Sequence, residues 1–102
     1  MKPNITVTWD WLDAAGQLRW EVFRNGCTMA ASGGFVSARQ GLMALLDLAD
    51  QQDEAGNDEV SAAIMNQWAE IAWEIRDRVD PELREALEEA CEDWWDANAD
   101  DD

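Results

Sequence analysis

The spacing of apolar residues changes once along the chain, and this change constrains the fold more than any other sequence feature. Before Gly33, apolar residues recur at every second position, which is the period of a strand with one buried face. After Gly34, they recur at every third or fourth position, as in an amphipathic helix. Strands followed by helices in 102 residues predict one α+β domain with a single core.

Three antiparallel strands forming a meander are predicted within residues 1–33. A turn containing Gly16 separates two alternating segments, residues 4–12 and 18–23. Asn25-Gly26 is the residue pair that best tolerates the positive φ angles of a type I′ hairpin, so residues 27–32 should return as a third strand. The apolar side chains of the first two strands expected to face the core are Ile5, Val7, Trp9, Trp11, Leu18, Trp20 and Val22.

Three α-helices are predicted at residues 37–54, 59–79 and 81–97, with a frayed tail at 98–102. Ser37 and Gln40 have the spacing of a capping box. Asp80-Pro81 ends the second helix and begins the third, because proline is favoured at the first helical position. The predicted apolar stripes are Leu42, Leu45, Leu46 and Ala49, then Val60, Ile64, Trp68, Ile71 and Ile75, then Leu83, Leu87, Ala90, Cys91 and Trp94.

The composition indicates a folded protein of a reducing compartment. Seven Trp residues are far more than a disordered acidic chain would carry. Five of them, Trp9, Trp11, Trp20, Trp68 and Trp94, are assigned to the core. Cys27 and Cys91 lie in different segments, so we expect reduced, packed thiols. With no signal peptide and no apolar run long enough for a membrane span, we expect a cytoplasmic location.

The charge balance restricts the partners. The chain has 23 Asp and Glu against 7 Lys and Arg, a formal net charge of −16. Such a field repels phosphate backbones and anionic lipids, which disfavours direct binding of nucleic acid or membranes. A basic protein surface is the partner that it attracts. The alternative is that the charge serves solubility alone.

The residues needed for common enzyme chemistry are missing. Without histidine the chain lacks the usual general base, metal ligand and triad member. Acidic neighbours should raise the pKa of Cys91 and suppress its nucleophilicity. With Gly56 at the sixth position of a calcium loop, Gln51, Ala55 and Ala62 occupy ligand positions, so that pattern fails. We expect a non-enzymatic protein without cofactor or metal; a carboxylate hydrolase using Mg²⁺ is the least favoured alternative.

The predicted third helix concentrates negative charge on one face. Opposite its apolar stripe lie Glu85, Glu88, Glu89, Glu92 and Asp96. Like charges at this spacing destabilise a helix, and acids near its C-terminal end oppose the macrodipole. No Lys or Arg follows Arg84, so no local compensation is expected. This placement favours a partner-binding face, with a solvated acidic face as the alternative.

Two tryptophans are candidate anchors beside these acids. Trp73 falls opposite the apolar stripe of the second helix, among Glu70, Glu74 and Asp77, and Trp95 lies at the edge of the third. Exposed Trp residues framed by polar groups are enriched at interface hot spots. Burial between helices is the alternative, and an exposed aromatic patch would also suit a homodimer, so both monomer and homodimer stay open.

In size, charge and layout the chain resembles the small phage-encoded inhibitors of bacterial defence, which include DNA-mimic anti-restriction proteins and anti-CRISPR proteins. The segments that carry the resemblance are Trp9-Asp10-Trp11, Ser37-Ala38-Arg39-Gln40 and the acidic run Glu88 to Asp96. The resemblance implies stoichiometric blocking of a basic nucleic-acid-binding surface, foremost that of an RNA-guided Cas surveillance complex in the host cytoplasm. An acidic adaptor, immunity protein or antitoxin acting on another basic protein is the alternative.

Overall fold

A computed structural model describes residues 4–98 of the chain. The α+β prediction is confirmed, because an antiparallel meander precedes three helices. A short fourth strand and a 3₁₀ turn, Arg76–Arg78, were not predicted. The elements are β1 Ile5–Leu12, β2 Gln17–Arg24, β3 Cys27–Ala31, β4 Val36–Ser37, α1 Ala38–Glu54, α2 Asp58–Ile75 and α3 Pro81–Asn98.

β2 is the centre of the sheet. β1 pairs along its whole length, with Trp9 opposite Trp20, while β3 pairs with its C-terminal half. β4 pairs with the N-terminal end of β2 and places Val36 opposite Leu18. The inward side chains of β2 are therefore fully enclosed, whereas those of β1 are half-buried at the edge of the sheet.

Glycines at two turns account for the path of the meander. Asn25 has φ 53° and Gly26 has φ 85°, which confirms the predicted hairpin with two positive φ angles. Gly33 and Gly34 also have positive φ, 83° and 125°. The second pair carries the chain from β3 to β4, held by Ser32, whose hydroxyl accepts from the backbone N–H of Trp20 and donates to the carbonyl of Gly34. Gly33 and Gly34 thus connect two strands of the same sheet.

The helix ends follow local chemistry. The Ser37 hydroxyl accepts from the backbone N–H of Gln40 at 3.2 Å, as a cap should. The prediction that the second helix continues to residue 79 is wrong, because α2 ends at Ile75 and Val79 is extended. Helical backbone angles are disfavoured for a residue that precedes proline, so a helix is not expected to continue through Asp80 into Pro81. Residue 98 is still helical, and the rest of the predicted frayed tail lies outside the described residues.

α2 is the central helix. β1 packs against α2, β2 packs against α1, and α3 packs against α2. The whole predicted stripe of α2, from Val60 to Ile75, is buried. The assignment of five Trp residues to the core is right in full for Trp20 and Trp68 only. The other three are half-buried, because β1 is an edge strand and α3 is the last element of the stack.

None of the helices described between residues 4 and 98 combines the length and apolar character needed to cross a bilayer.

Candidate acidic and aromatic surface

The outer side of α3 carries exposed carboxylates. Of the predicted face, Glu85, Glu89, Glu92 and Asp96 are exposed, and the structure adds Glu82 and Asp93 beside them. Within residues 4–98, none of these six side chains forms an ion pair or a hydrogen bond. Six like charges on one surface without an ion-pair partner in residues 4–98 make this face strongly negative.

Glu88 differs from the rest of the predicted face. Its Oε2 atom lies 3.4 Å from Nε of Arg84 and 3.6 Å from Nε of Arg76. The prediction that the acids after Arg84 lack local compensation is therefore wrong at this position. Arg84 precedes Glu88 by one helical turn, and the 3₁₀ turn brings Arg76 to the same carboxylate. Glu88 thus joins α3 to the end of α2.

Trp73 is half-buried rather than an exposed anchor. The Trp95 ring meets it edge to face, with centroids 5.1 Å apart and planes at 72°. From the 3₁₀ turn that follows α2, the Arg76 guanidinium lies 3.7 Å from the Trp73 ring centroid, and Arg76 also donates a hydrogen bond to the Trp73 carbonyl. Stacked cations and edge-to-face rings each stabilise such a cluster modestly. Trp95 remains 36% exposed, so it is the accessible ring of the pair.

The three acids predicted around Trp73 have different roles. Asp77 forms an ion pair with Arg84 at 3.3 Å, which links the 3₁₀ turn to α3. Glu70 and Glu74 are exposed on α2 and have no cation partner within the described residues. The sequence pattern did not point to Arg76, although its position three residues after Trp73 is a spacing at which helical side chains meet.

The cysteines divide by exposure. Cys91 is buried, with Sγ 3.5 Å from the Ala69 carbonyl oxygen. Burial raises the pKa of this thiol, and the Arg76 charge opposes that shift only in part. Burial, rather than the neighbouring acids, is thus the cause of the raised pKa. Cys27 is exposed at the start of β3, contrary to the expected packing, because it directly follows the hairpin turn.

The part of the chain that the structure describes contains no group of three or more Cys, Asp and Glu side chains placed to hold a metal ion. The surface of α2 and α3 carries a ridge formed by the six exposed carboxylates of α3, one accessible indole, and an ion-paired cluster that links the two helices. Comparison with protein-family models, curated proteins and solved structures finds no match for this chain.

Proposed function

We propose that the chain is a non-enzymatic acidic binding protein that blocks a basic, nucleic-acid-binding surface of a partner protein. The observation that carries the proposal is the ridge formed by Glu82, Glu85, Glu89, Glu92, Asp93 and Asp96, which is exposed and unpaired within residues 4–98. Lys and Arg that hold phosphates are the groups such a ridge attracts.

The charge spacing supports mimicry of a nucleic-acid strand. Residues 82–96 cover about 21 Å of helix at about 1.5 Å per residue. The ridge therefore presents one carboxylate for roughly every 4 Å of its length. One strand of DNA presents a phosphate for about every 3.4 Å of its axis. A cationic groove that tracks a phosphate backbone would meet a similar linear charge density on α3.

The aromatic pair supplies an anchor beside the ridge. Trp95 is exposed in part, and its contact with Trp73 restricts its orientation. The ion pair between Arg76 and Glu88 links the end of α2 to α3 beside these two tryptophans. A rigid aromatic side chain framed by charged groups is typical of interface hot spots. The ridge would then select a positively charged partner surface and raise the association rate, and Trp95 would add contact area.

The lack of histidine and the burial of Cys91 support a binding role over a catalytic one. Together with the resemblance to phage-encoded inhibitors, they make an RNA-guided Cas surveillance complex the partner we propose to test first. A blocking protein of this kind should titrate its target at fixed stoichiometry and consume nothing.

The test measures DNA binding by a purified surveillance complex as the protein is added. We expect DNA binding to fall in proportion to the protein added, and to recover with excess nucleic acid. The triple variant Glu85→Lys, Glu89→Lys, Glu92→Lys should lose the inhibition. The matched control is Asp47→Lys, Asp50→Lys, Glu54→Lys, which makes the same charge change at exposed positions of α1. It should retain most of the inhibition.

Three results would overturn the proposal. Substoichiometric inactivation would indicate catalysis. Equal loss of inhibition in both triple variants would indicate an effect of net charge rather than of the α3 ridge. Inhibition that excess nucleic acid does not relieve would place the contact away from the nucleic-acid surface. Affinity capture from a bacterial lysate at low and high salt would supply the partner if the surveillance complex does not bind.

A further inference from the structure

Three arginines, Arg24, Arg39 and Arg78, lack a partner among residues 4–98 of a chain crowded with carboxylates. Arg19 pairs with Asp10, Arg76 with Glu88, and Arg84 with both Asp77 and Glu88. Arg39 and Arg78 form no hydrogen bond or ion pair within residues 4–98, although the net charge is −16. Arginine presents a planar fork of donors that matches a carboxylate or phosphate group. An unpaired arginine is therefore an unused anion-binding group.

Of these, Arg39 and Arg78 line the same cavity. It has a volume of about 350 Å³ and lies where the β1–β2 turn, the start of α1 and the start of α3 meet. Trp11 and Leu83 form apolar parts of its wall, and Ser37 contributes a hydroxyl group. A cavity of this size falls at the lower end of the range for small-molecule sites. The first turn of α1 contains no acidic residue, and Asp80 is the one carboxylate among the lining residues, so two arginines face a single acid.

An apolar groove continues from this cavity and shares Arg39 and Leu83 with it. The groove lies between α1 and α3 over the Trp68 side chain, and Met43, which is 59% exposed, lies along it. The remaining lining residues are Leu42, Leu46 and Leu87. Charge at one end and a hydrocarbon surface along the rest specify an amphiphilic anion.

We propose that this combined site binds a small carboxylate with a short aliphatic chain. The carboxylate lies at Arg39 and Arg78, and the chain follows the apolar groove past Met43. The groove encloses about 80 Å³, which suits a short chain rather than a long one. A monoanionic carboxylate fits better than a phosphate dianion, because the negative field of the whole protein opposes each added charge. At physiological salt that field is screened beyond about 8 Å, so the local charges dominate, and the two arginines outnumber the Asp80 carboxylate.

The site is separate from the acidic ridge. It uses Leu83 and Leu87, which lie on the apolar side of α3, opposite the exposed carboxylates. The inference therefore does not rest on the proposed function, and either can fail without the other.

The experiment titrates the full chain with hexanoate and follows the methyl signals of ¹³C-labelled methionines by NMR. The Met43 signal should shift and saturate, while that of Met29 on β3 should not move. Acetate lacks the aliphatic chain and hexanol lacks the charge, so each should bind at least about tenfold more weakly than hexanoate. The Met43→Gln variant should also bind hexanoate more weakly, as measured on the Leu46 methyl signals of a sample with ¹³C-labelled leucines. Leu12→Gln is the matched control at another exposed apolar position.

The arginines are tested with the double variant Arg39→Gln, Arg78→Gln. It should lose at least about tenfold in hexanoate affinity, since two charge-assisted contacts are removed. Arg24→Gln, which removes another exposed arginine without an ion pair in the described structure, should bind as the unaltered chain does. Unchanged affinity in the double variant, equal binding of hexanol and hexanoate, or equal shifts of Met43 and Met29 would each overturn the proposal.

Discussion

Trp20 and Trp68 donate their indole N–H groups to consecutive carbonyls of α1. The Trp20 bond to the Gly41 carbonyl measures 2.8 Å, and the Trp68 bond to the Leu42 carbonyl measures 3.0 Å. One donor comes from β2 and the other from α2, so a single turn of α1 is bonded to the sheet and to the central helix. Both bonds are buried. Buried polar groups need such partners, and these bonds therefore fix the position of α1.

Trp68→Phe should destabilise the fold by about 2 kcal/mol. Roughly half of this loss comes from the hydrogen bond to Leu42 and the rest from the space left by the smaller ring. Trp11→Phe is the matched control, because the Trp11 indole donates to Asp13 at an exposed site and should cost less than about 1 kcal/mol. Urea unfolding measures both. Equal losses would contradict the structural role assigned to the Trp68 bond.

Gly41→Ala should also destabilise the protein, by about 1 kcal/mol. Alanine normally favours a helix over glycine by a similar amount. At this position, however, a Cβ atom would lie 3.0 Å from Leu18 Cδ2 and 3.3 Å from Val36 Cγ2. Leu18 is fully buried, so its side chain would have to shift within a packed core to accept this atom. The exposed control Ala44→Gly should also lower the unfolding free energy, through helix propensity alone. A stabilised Gly41→Ala variant would show that α1 can shift away from β2.

Much of the fold could be predicted from the sequence because local patterns and tertiary contacts agree. The alternation of β1 and β2, the Asn25-Gly26 hairpin and the apolar stripe of α2 each require only one burial period or one turn geometry. β4 could not be predicted, because two residues have no detectable period and their pairing with β2 depends on the path through Gly33-Gly34. The end of α2 was missed because the 3₁₀ turn depends on how the chain reaches Pro81.

The candidate site was predicted less well, because it depends on contacts between elements. Helical geometry correctly placed the exposed acids of α3 on one side. It could not show that Arg76 and Arg84 converge on Glu88, since that requires the angle between α2 and α3. The helical period placed Trp73 away from the apolar stripe of α2. It could not show that Trp73 contacts Trp95 of the next helix. The cavity at Arg39 and Arg78 joins three distant segments and has no local signature.

The two thiols should react at very different rates with a thiol-specific reagent. Cys27 is exposed and should be modified quickly at pH 8, whereas Cys91 is buried and should react only after unfolding. Burial raises the pKa of Cys91, which further reduces its thiolate fraction. The measurement is the number of thiols modified per chain with and without denaturant. Two fast thiols in the native protein would contradict the burial of Cys91.

The raised pKa of Cys91 also predicts a loss of stability at high pH. The folded protein holds this proton more tightly than the unfolded chain, in which the pKa is near its ordinary value of 9.0. The stability that comes from burying the neutral Cys91 thiol is fully present below about pH 9, and it is lost as the pH rises towards the higher folded pKa. Unfolding free energy should therefore fall above about pH 9, by at most about 1.4 kcal/mol per pH unit. Cys91→Ala, although less stable throughout, should lack this additional slope.

Glu88 and Glu89 are adjacent acids that should respond in opposite ways to neutralisation. Glu88 is 35% exposed and pairs with Arg76 and Arg84, so Glu88→Gln should lower the unfolding free energy by about 0.5–1 kcal/mol. Glu89 is exposed and has no cation partner in residues 4–98, but it lies one turn from Glu85 and Glu92. Glu89→Gln should therefore raise stability by a few tenths of a kcal/mol, because it removes repulsion at these spacings.

The salt dependence of the two variants is a further test of these roles. Added salt screens both the attraction at Glu88 and the repulsion at Glu89, so the difference between the variants should shrink between about 0.05 M and 1 M NaCl. Thermal or urea unfolding of both variants at the two concentrations is the measurement. Arg84→Gln should reproduce part of the Glu88→Gln loss, since it removes one partner of the same carboxylate. If Glu88→Gln and Glu89→Gln are equally stable at low salt, Glu88 does not join α3 to α2 in solution, and it belongs with the unpaired carboxylates of the ridge.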